Sequence, residues 1–219
     1  MGPTLKAERG PGDARLGRRA SSLFYCRTAH SYIVLDLQQD RYRTLPADPI
    51  DATGGPTVHP LLAEAVASPE CPPPSESWFQ AGCRVRRDHR VGLREILRFV
   101  SCTLGTERRL RPGQFTTNVA LFAQRKRKHA AAHATFDFDR ARAQVAVFDT
   151  LRPWWPQNYR CLYDSLALLV FLAASDLFPT WVFGVQEEPF EAHCWVQAGE
   201  VVLNDSLESV SAFTPIMIV

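Results

Sequence analysis

The sequence carries little net charge and no apolar run of membrane-spanning length. Its 25 Lys and Arg residues nearly balance 23 Asp and Glu residues, so the formal net charge is only +2. No strong field therefore favours nucleic acid, and the basic run at residues 125–128 is interpreted as a solvated helix face. The most apolar stretch, residues 165–175, is too short to cross a bilayer and predicts a buried helix. Nucleic-acid binding and a membrane span are not expected.

A secretory signal peptide and a phosphate-binding loop are also missing. The first twenty residues are rich in Gly and Arg and hold no apolar segment, which predicts a flexible tail at residues 1–20 and a cytoplasmic location. In that reducing compartment the six cysteines are expected to be free thiols. No Gly-rich phosphate loop follows a strand, so no cofactor is predicted from a motif.

The chain is long enough for one large domain or two small ones, and its patterns favour two modules. It has 219 residues, of which 46% are hydrophobic. Residues 21–90 form the predicted first module, a small antiparallel sheet with a short helix. Its strands are predicted at 24–26, 32–37 and 41–45, with a turn at 38–40 and the helix at 61–67.

Residues 91–219 form the predicted second module, in which helices precede strands. Three segments repeat apolar residues at helical spacing, which predicts three amphipathic helices. A fourth helix is predicted at 161–175 and a strand at 180–186. This order favours an α+β domain. The apolar positions are Leu93, Ile96, Leu97, Val100 and Leu104; Phe115, Val119 and Phe122; and Phe138, Val145, Phe148 and Leu151.

Cys161 begins the predicted buried helix, where a nucleophile would be favoured. Unpaired N–H groups and the dipole at a helix N-terminus stabilise a thiolate. His193 and Asp205 lie in two strand-like runs joined at residues 198–200, which predicts a hairpin. If that hairpin is centred on Gly199, His193 and Asp205 lie directly opposite, with Cβ atoms about 5 Å apart. A two-residue loop would instead pair Asp205 with the next residue, Cys194.

A series of short motifs between residues 160 and 205 resembles a known family. The series is similar to the transglutaminase-like cysteine peptidases of lasso-peptide biosynthesis, the B proteins that remove the leader from a ribosomally made precursor. The first module resembles the winged-helix-like leader-recognition domain of that family through residues 32–45, especially Asp40-Arg41-Tyr42, and the turn Gln80-Ala81-Gly82. The motifs are Arg160-Cys161-Leu162, Ser165-Leu166-Ala167-Leu168, Phe183-Gly184-Val185, Pro189-Phe190, Ala192-His193, Trp195-Val196 and Asn204-Asp205.

The resemblance implies a papain-like peptidase domain with a Cys-His-Asp triad. Cys161 would be the nucleophile, His193 the base and Asp205 the group that orients the base. The Cys161 backbone N–H would stabilise the oxyanion together with Gln157 or Asn158. Where the family usually has Ala after the histidine, this chain has Cys194, which is expected to point to the opposite sheet face and lie in the core.

The resemblance also implies a substrate and partners. The leader of a lasso precursor would add as a strand to the first module, near Tyr32, Val34 and Tyr42. Cleavage at the leader–core junction would free an amine for an asparagine-synthetase-like macrolactam cyclase. The family has been associated with ATP dependence, which could act through the cyclase.

Other functions are compatible with the same residues. Taken singly, the cysteine, the histidine and the aspartate each fit a structural role. His129 and His133 are spaced i, i+4 and could bind a metal, but they lack an intervening Glu and an obvious third ligand. A transglutaminase-like acyltransferase would use the same triad. A leader-binding protein with a degenerate peptidase site would retain only the first module's function.

Overall fold

A computed structural model describes residues 22–47, 59–78, 91–111, 113–132, 135–158 and 160–219. The predicted tail at 1–20 and the turn at 80–82 lie outside these residues. The predicted boundary between the two modules, near residue 90, follows a segment that is also outside them and stays a prediction.

Three antiparallel strands form the main part of the N-terminal sheet, as the strand-like runs and the polar turn predict. They are β1 (Leu23–Arg27), β2 (Ser31–Asp36) and β3 (Arg41–Pro46), and each pairs with the next along the chain. Asp40 adopts a left-handed conformation (φ 51°) in the turn before β3, which short polar side chains tolerate. Within the described residues β3 is an edge of this sheet.

The helix predicted at residues 61–67 is shorter than expected. Helix α1 (Pro60–Glu64) ends where Ala65 turns extended. Val66–Ala67 then form β4, which pairs parallel to β1 and completes a four-stranded sheet. The prediction failed because residues 61–67 are too few for the apolar pattern of a helix to be distinguished from that of a strand.

All four helices predicted in the second module are present. They are α2 (Leu93–Arg109), α3 (Phe115–Ala132), α4 (Phe138–Leu151) and α5 (Cys161–Ala173). A 3-10 turn at Arg152–Trp154 ends α4, as the proline-rich sequence predicts. Helix α5 is the most buried, with Leu168, Leu169 and Phe171 fully inside. Among the described residues, no helix combines the length and apolarity needed to cross a bilayer.

The face of α2 that packs inward differs from the predicted one. Leu93 and Leu97 are 71% and 60% exposed, whereas Phe99, Thr103 and Thr106 are buried. The threonine hydroxyls donate to helix carbonyls one turn back, so they enter the core without unpaired polar groups. Phe99 contacts the rings of Phe148, Trp155 and Phe171. This aromatic cluster, which sequence spacing alone does not show, sets the rotation of α2.

The second sheet carries the rest of the candidate site. Its strand order is β5-β8-β7-β6-β9, and β6 occupies the predicted residues 180–186. The first of these strands, β5, comes from the range predicted for the first module, so that segment reaches into the second sheet. The C-terminal helix α6 and strand β9 were not predicted. The bounds are β5 (Glu76–Ser77), β6 (Thr180–Gln186), β7 (Glu191–Ala198), β8 (Val201–Val202), α6 (Leu207–Ser211) and β9 (Thr214–Ile218).

The β7–β8 hairpin is present, but its predicted register is wrong by one residue. Ala198 pairs with Val201 and Gln197 with Val202, so the loop has two residues rather than three. Gly199 takes a left-handed conformation (φ 57°) that suits such a tight turn. Extended further, this register would place Asp205 opposite Cys194, the alternative recognised from the sequence.

The two sheets share one core. Ile33 and Leu35 of β2 belong to the same buried cluster as α5. Contacts also join the N-terminal sheet to the turn between β6 and β7. The Glu187 carboxylate accepts the His30 N–H at 3.2 Å, and the Tyr42 ring meets Phe190 at 5.5 Å between centroids. The N-terminal sheet is thereby fixed beside the start of α5.

Candidate active site

Cys161 is the first residue of α5, directly after the extended residue Arg160. The body of the helix is buried against β7, but Cys161 itself is only partly buried. It lies between two cavities that also contact His193 and Cys194. The thiol is therefore at a helix N-terminus and open to a substrate, which are the conditions for a reactive thiolate.

His193 projects from β7 and is held between aromatic rings. The Trp195 ring stacks on one side with centroids 6.1 Å apart, and Phe213 lies 5.1 Å away. Gly184 is the cross-strand partner of His193. A Cβ atom at Gly184 would come within 2.8 Å of the Trp195 ring and 2.9 Å of Phe213. Because Gly184 has no side chain, Trp195 and Phe213 can pack close to the backbone at this position.

Asp205 contacts His193 even though the hairpin register does not pair them. Strand β8 ends at Val202, and the chain then turns, so that Asp205 Oδ2 accepts the His193 Nε2 hydrogen at 2.5 Å. Oδ1 accepts the Ser206 N–H at 2.7 Å, and the Asp205 carbonyl accepts the Ser77 hydroxyl at 2.6 Å. Because Nε2 is bonded to the carboxylate, Nδ1 is the ring nitrogen left for Cys161.

The electrostatics of these side chains favour a thiolate–imidazolium pair. Hydrogen bonds from Cys194 and His193 lower the pKa of Cys161 to about 4, against the opposing effect of burial. Burial alone would lower the pKa of His193, but its hydrogen bonds to Asp205 and Cys161 raise it to about 9. Burial would also raise the pKa of Asp205, yet the bonds from His193 and Ser206 hold it below its ordinary value. The pair is therefore charged between about pH 4 and pH 9.

Cys194 has two roles in the structure. It is buried, as predicted for a core residue, with 3% exposure. Its thiol also lies 4.0 Å from the Ser165 hydroxyl and hydrogen-bonds to Cys161. The hydrogen bond to Cys161, and then burial, raise the pKa of the Cys194 thiol well above its ordinary value. The Cys194 thiol thus keeps its proton and is placed as a hydrogen-bond donor to the thiolate, not as a rival nucleophile.

A hydrogen-bond network that was not predicted connects the three elements of the site. The fully buried Ser165, one helical turn after Cys161, donates to the Cys194 carbonyl at 3.1 Å and accepts from Asn204 Nδ2 at 3.1 Å. Asn204 Oδ1 accepts the Val196 N–H at 2.8 Å. The network fixes α5, β7 and the turn carrying Asp205 relative to one another. A serine beside the long apolar run of α5 was the available sequence signal.

Two cavities meet at Cys161 and His193. The first, about 270 Å³, is lined by Leu35, Asp40 and Tyr42 from the N-terminal sheet and by Arg111 from the segment between α2 and α3. The second, about 580 Å³, is lined by charged side chains from the end of α4 and the start of α5. These are Asp149, Arg152, Arg160 and Asp164, together with Asp205.

The remaining predicted site residues are distributed unevenly. Tyr42 faces the first cavity. Tyr32 and Val34 pair with Leu45 and Arg43 and therefore lie on the other face of the sheet. The Gln157 amide donates to Glu107 at 3.3 Å, and neither Gln157 nor Asn158 lines the two cavities. Their predicted oxyanion role stays a prediction.

The metal-site alternative gains no support from the described residues. His129 packs on the Phe178 ring at 4.8 Å, and His133 lies outside the described part of the chain. Within that part, no group of three or more His, Cys, Asp or Glu side chains is arranged to hold a metal ion.

A comparison with protein families covers the residues of this site. Residues 101–218 match the Transglutaminase-like superfamily. The chain belongs to the transglutaminase-like superfamily. Members of this superfamily are typically cysteine-based enzymes and include peptidases and acyltransferases. The matched range of this transglutaminase-like domain contains Cys161, His193 and Asp205. No curated protein and no solved structure matches the chain.

Proposed function

We propose that the protein is a cysteine peptidase that removes the leader from a lasso-peptide precursor, with Cys161 as nucleophile, His193 as base and Asp205 as the residue that orients the base. The observation that carries the proposal is the arrangement of these three side chains at the meeting point of two open cavities. The motif resemblance supplies the substrate class.

The reaction follows from the charge states of the pair. The Cys161 thiolate attacks the carbonyl carbon of the scissile bond, and the backbone N–H of Cys161 stabilises the oxyanion. His193 then gives its proton to the departing nitrogen as the C–N bond breaks and a thioester remains on Cys161. Neutral His193 next takes a proton from water, whose oxygen attacks the thioester and releases the leader carboxylate.

The exposed strand β3 provides a way to bind the leader. Arg41, Arg43 and Thr44 of this edge strand are exposed, so a peptide can add to it through backbone hydrogen bonds. Tyr42, at the start of the same strand, lines the first cavity. A leader bound antiparallel to β3 would place its C-terminal residues in this cavity and the core N-terminus in the second one.

The proposed partner is a macrolactam cyclase, and ATP is assigned to that cyclase. The amine freed from the core is the group that an asparagine-synthetase-like cyclase needs to form a macrolactam. ATP would act through that cyclase, since the sequence has no recognisable phosphate loop.

The test is the mass of the products formed from a full-length precursor. Peptidase activity yields two fragments whose masses sum to the precursor plus one water. The superfamily also includes acyltransferases, and such activity would instead join the acyl fragment to an added amine. An unchanged precursor with a functional partner cyclase present would overturn both assignments and favour a binding protein.

A further inference from the structure

A buried arginine lies in the turn that leads into α5. Arg152 is charged yet only 4% exposed, and such burial is costly unless every donor is used. Its guanidinium donates at 3.1 Å to the Gln157 carbonyl, at 3.3 Å to the Asn158 carbonyl and at 3.5 Å to the Trp155 carbonyl. It also forms an ion pair with Asp164. One side chain thus holds the turn together.

Asp164 extends this connection to the start of the helix. One carboxylate oxygen pairs with Arg152, and the other accepts the Arg160 N–H at 2.8 Å. Arg160 precedes Cys161 and has no side-chain cap of its own, so Asp164 satisfies a backbone donor that would otherwise be unpaired. We call these two side chains the Arg152–Asp164 brace.

The brace also pairs a carboxylate near Cys161 with a positive charge. Asp164 is three residues further along the helix, with Cβ atoms about 5–6 Å apart. An unpaired carboxylate there would disfavour a thiolate, and Arg152 offsets it. The other ionisable groups around Cys161 are His193 and Cys194 on β7, Asp205 after β8, Asp40 and Tyr42 from the N-terminal sheet, Arg111 between α2 and α3, Asp149 on α4, and Arg160.

We infer that Arg152 is a positioning residue for the reaction: it holds the Cys161 backbone N–H at the oxyanion position and neutralises Asp164 so that the thiolate forms. The kinetic part of this inference rests on the proposed peptidase function. The effect on the thiolate does not, because it can be measured without any peptide substrate.

The experiment compares Arg152→Met, Arg152→Lys and the double variant Arg152→Met with Asp164→Asn in the full chain. The matched control is Arg98→Met. Arg98 is a partly buried arginine that donates at 2.6 Å to Ser175, which follows the C-terminal end of α5, whereas the thiol begins that helix. For each protein, thiol–disulfide exchange at Cys161 is followed against pH with a pyridyl disulfide and peptide mapping. Precursor cleavage and thermal unfolding are measured in parallel.

Arg152→Met should raise the midpoint of the exchange profile by about one pH unit and lower kcat at least about tenfold with KM within about twofold. The double variant should regain the midpoint but not kcat, because the charge is balanced while the turn stays unsupported. Arg152→Lys should keep the midpoint and recover only part of kcat, since an ammonium cannot reproduce the planar set of donors.

Three outcomes decide the inference. Arg98→Met should melt earlier without moving the midpoint. If Arg152→Met behaves like Arg98→Met in both midpoint and kcat, Arg152 is only structural and the inference is overturned. Failure of the wild-type protein to cleave, combined with the expected midpoint shifts, would contradict the proposed function while leaving the effect of the brace on the thiolate supported.

Discussion

Removing the Cys194 thiol tests whether it donates a hydrogen bond to the Cys161 thiolate. A hydrogen bond to a charged group contributes about 1.5–3 kcal/mol, and a thiol is a weak donor, so the lower end applies. That amount corresponds to about one pKa unit. Since the pKa of Cys161 is about 4 in the wild-type protein, Cys194→Ala should raise it to about 5.

Thiol–disulfide exchange with a pyridyl disulfide measures this shift directly. The midpoint of the rate profile should rise by about one pH unit in Cys194→Ala. The plateau at higher pH should rise roughly threefold, because a more basic thiolate is a better nucleophile. Cys194→Ser should behave like the wild type, since its hydroxyl can still donate. A higher midpoint together with a higher plateau indicates a lost hydrogen bond, whereas general damage to the site would not raise the plateau.

A control variant guards against an effect of core truncation. Cys102 is another buried thiol, 7% exposed, on α2. Cys102→Ala should reduce stability in the same way as Cys194→Ala but leave the Cys161 profile unchanged. If the Cys194→Ala midpoint stays within about 0.2 pH unit of the wild type, a shift of less than about 0.3 kcal/mol, the hydrogen bond does not act on the thiolate and this reasoning is wrong.

Three further predictions follow from the geometry of the site. Gly184→Ala should displace Trp195 or Phe213 and reduce cleavage per folded molecule at least about tenfold, as measured by single-turnover kinetics; normal turnover would show that His193 is held by other contacts. Asp205→Ala should slow cleavage by roughly 10- to 1000-fold and Asp205→Asn by less, since Asn can still orient the ring. Equal turnover in the wild type and both variants would reduce the triad to a dyad of Cys161 and His193. In an edge strand, alternate N–H groups point outward and are unpaired, so one of the two residues Arg43 and Thr44 offers its N–H to a leader. Proline at that position should weaken the binding of an isolated leader peptide with little change in melting temperature. Unchanged leader affinity in both folded variants would exclude β3 as the binding edge.

The sequence predicted the elements of the site better than their register. Cys161 begins a helix as predicted, because a long apolar run bounded by polar residues has few other structures available. The contact between His193 and Asp205 is present, but through a turn after Val202 rather than through strand pairing. A two-residue and a three-residue loop around Gly199 have almost the same local sequence signal, so only the packed structure distinguishes them.

Features that depend on distant contacts were not predicted from the sequence. The inward face of α2 is set by Phe99 and its aromatic neighbours from other elements. The network around Ser165 joins residues almost forty positions apart. Cys194 was predicted to lie in the core, but its bond to Cys161 depends on how β7 crosses the start of α5. In each case the deciding partner lies outside any local window of sequence.

The most direct test of the central claim is to trap the thioester. The wild-type protein is mixed with precursor, quenched with acid after less than one turnover, and analysed by intact mass and peptide mapping. We expect an adduct with the mass of the leader acyl group on Cys161, which is lost on further incubation and is absent in Cys161→Ala. Continued cleavage by Cys161→Ala, or an adduct on a different cysteine, would contradict the assignment of Cys161 as the nucleophile.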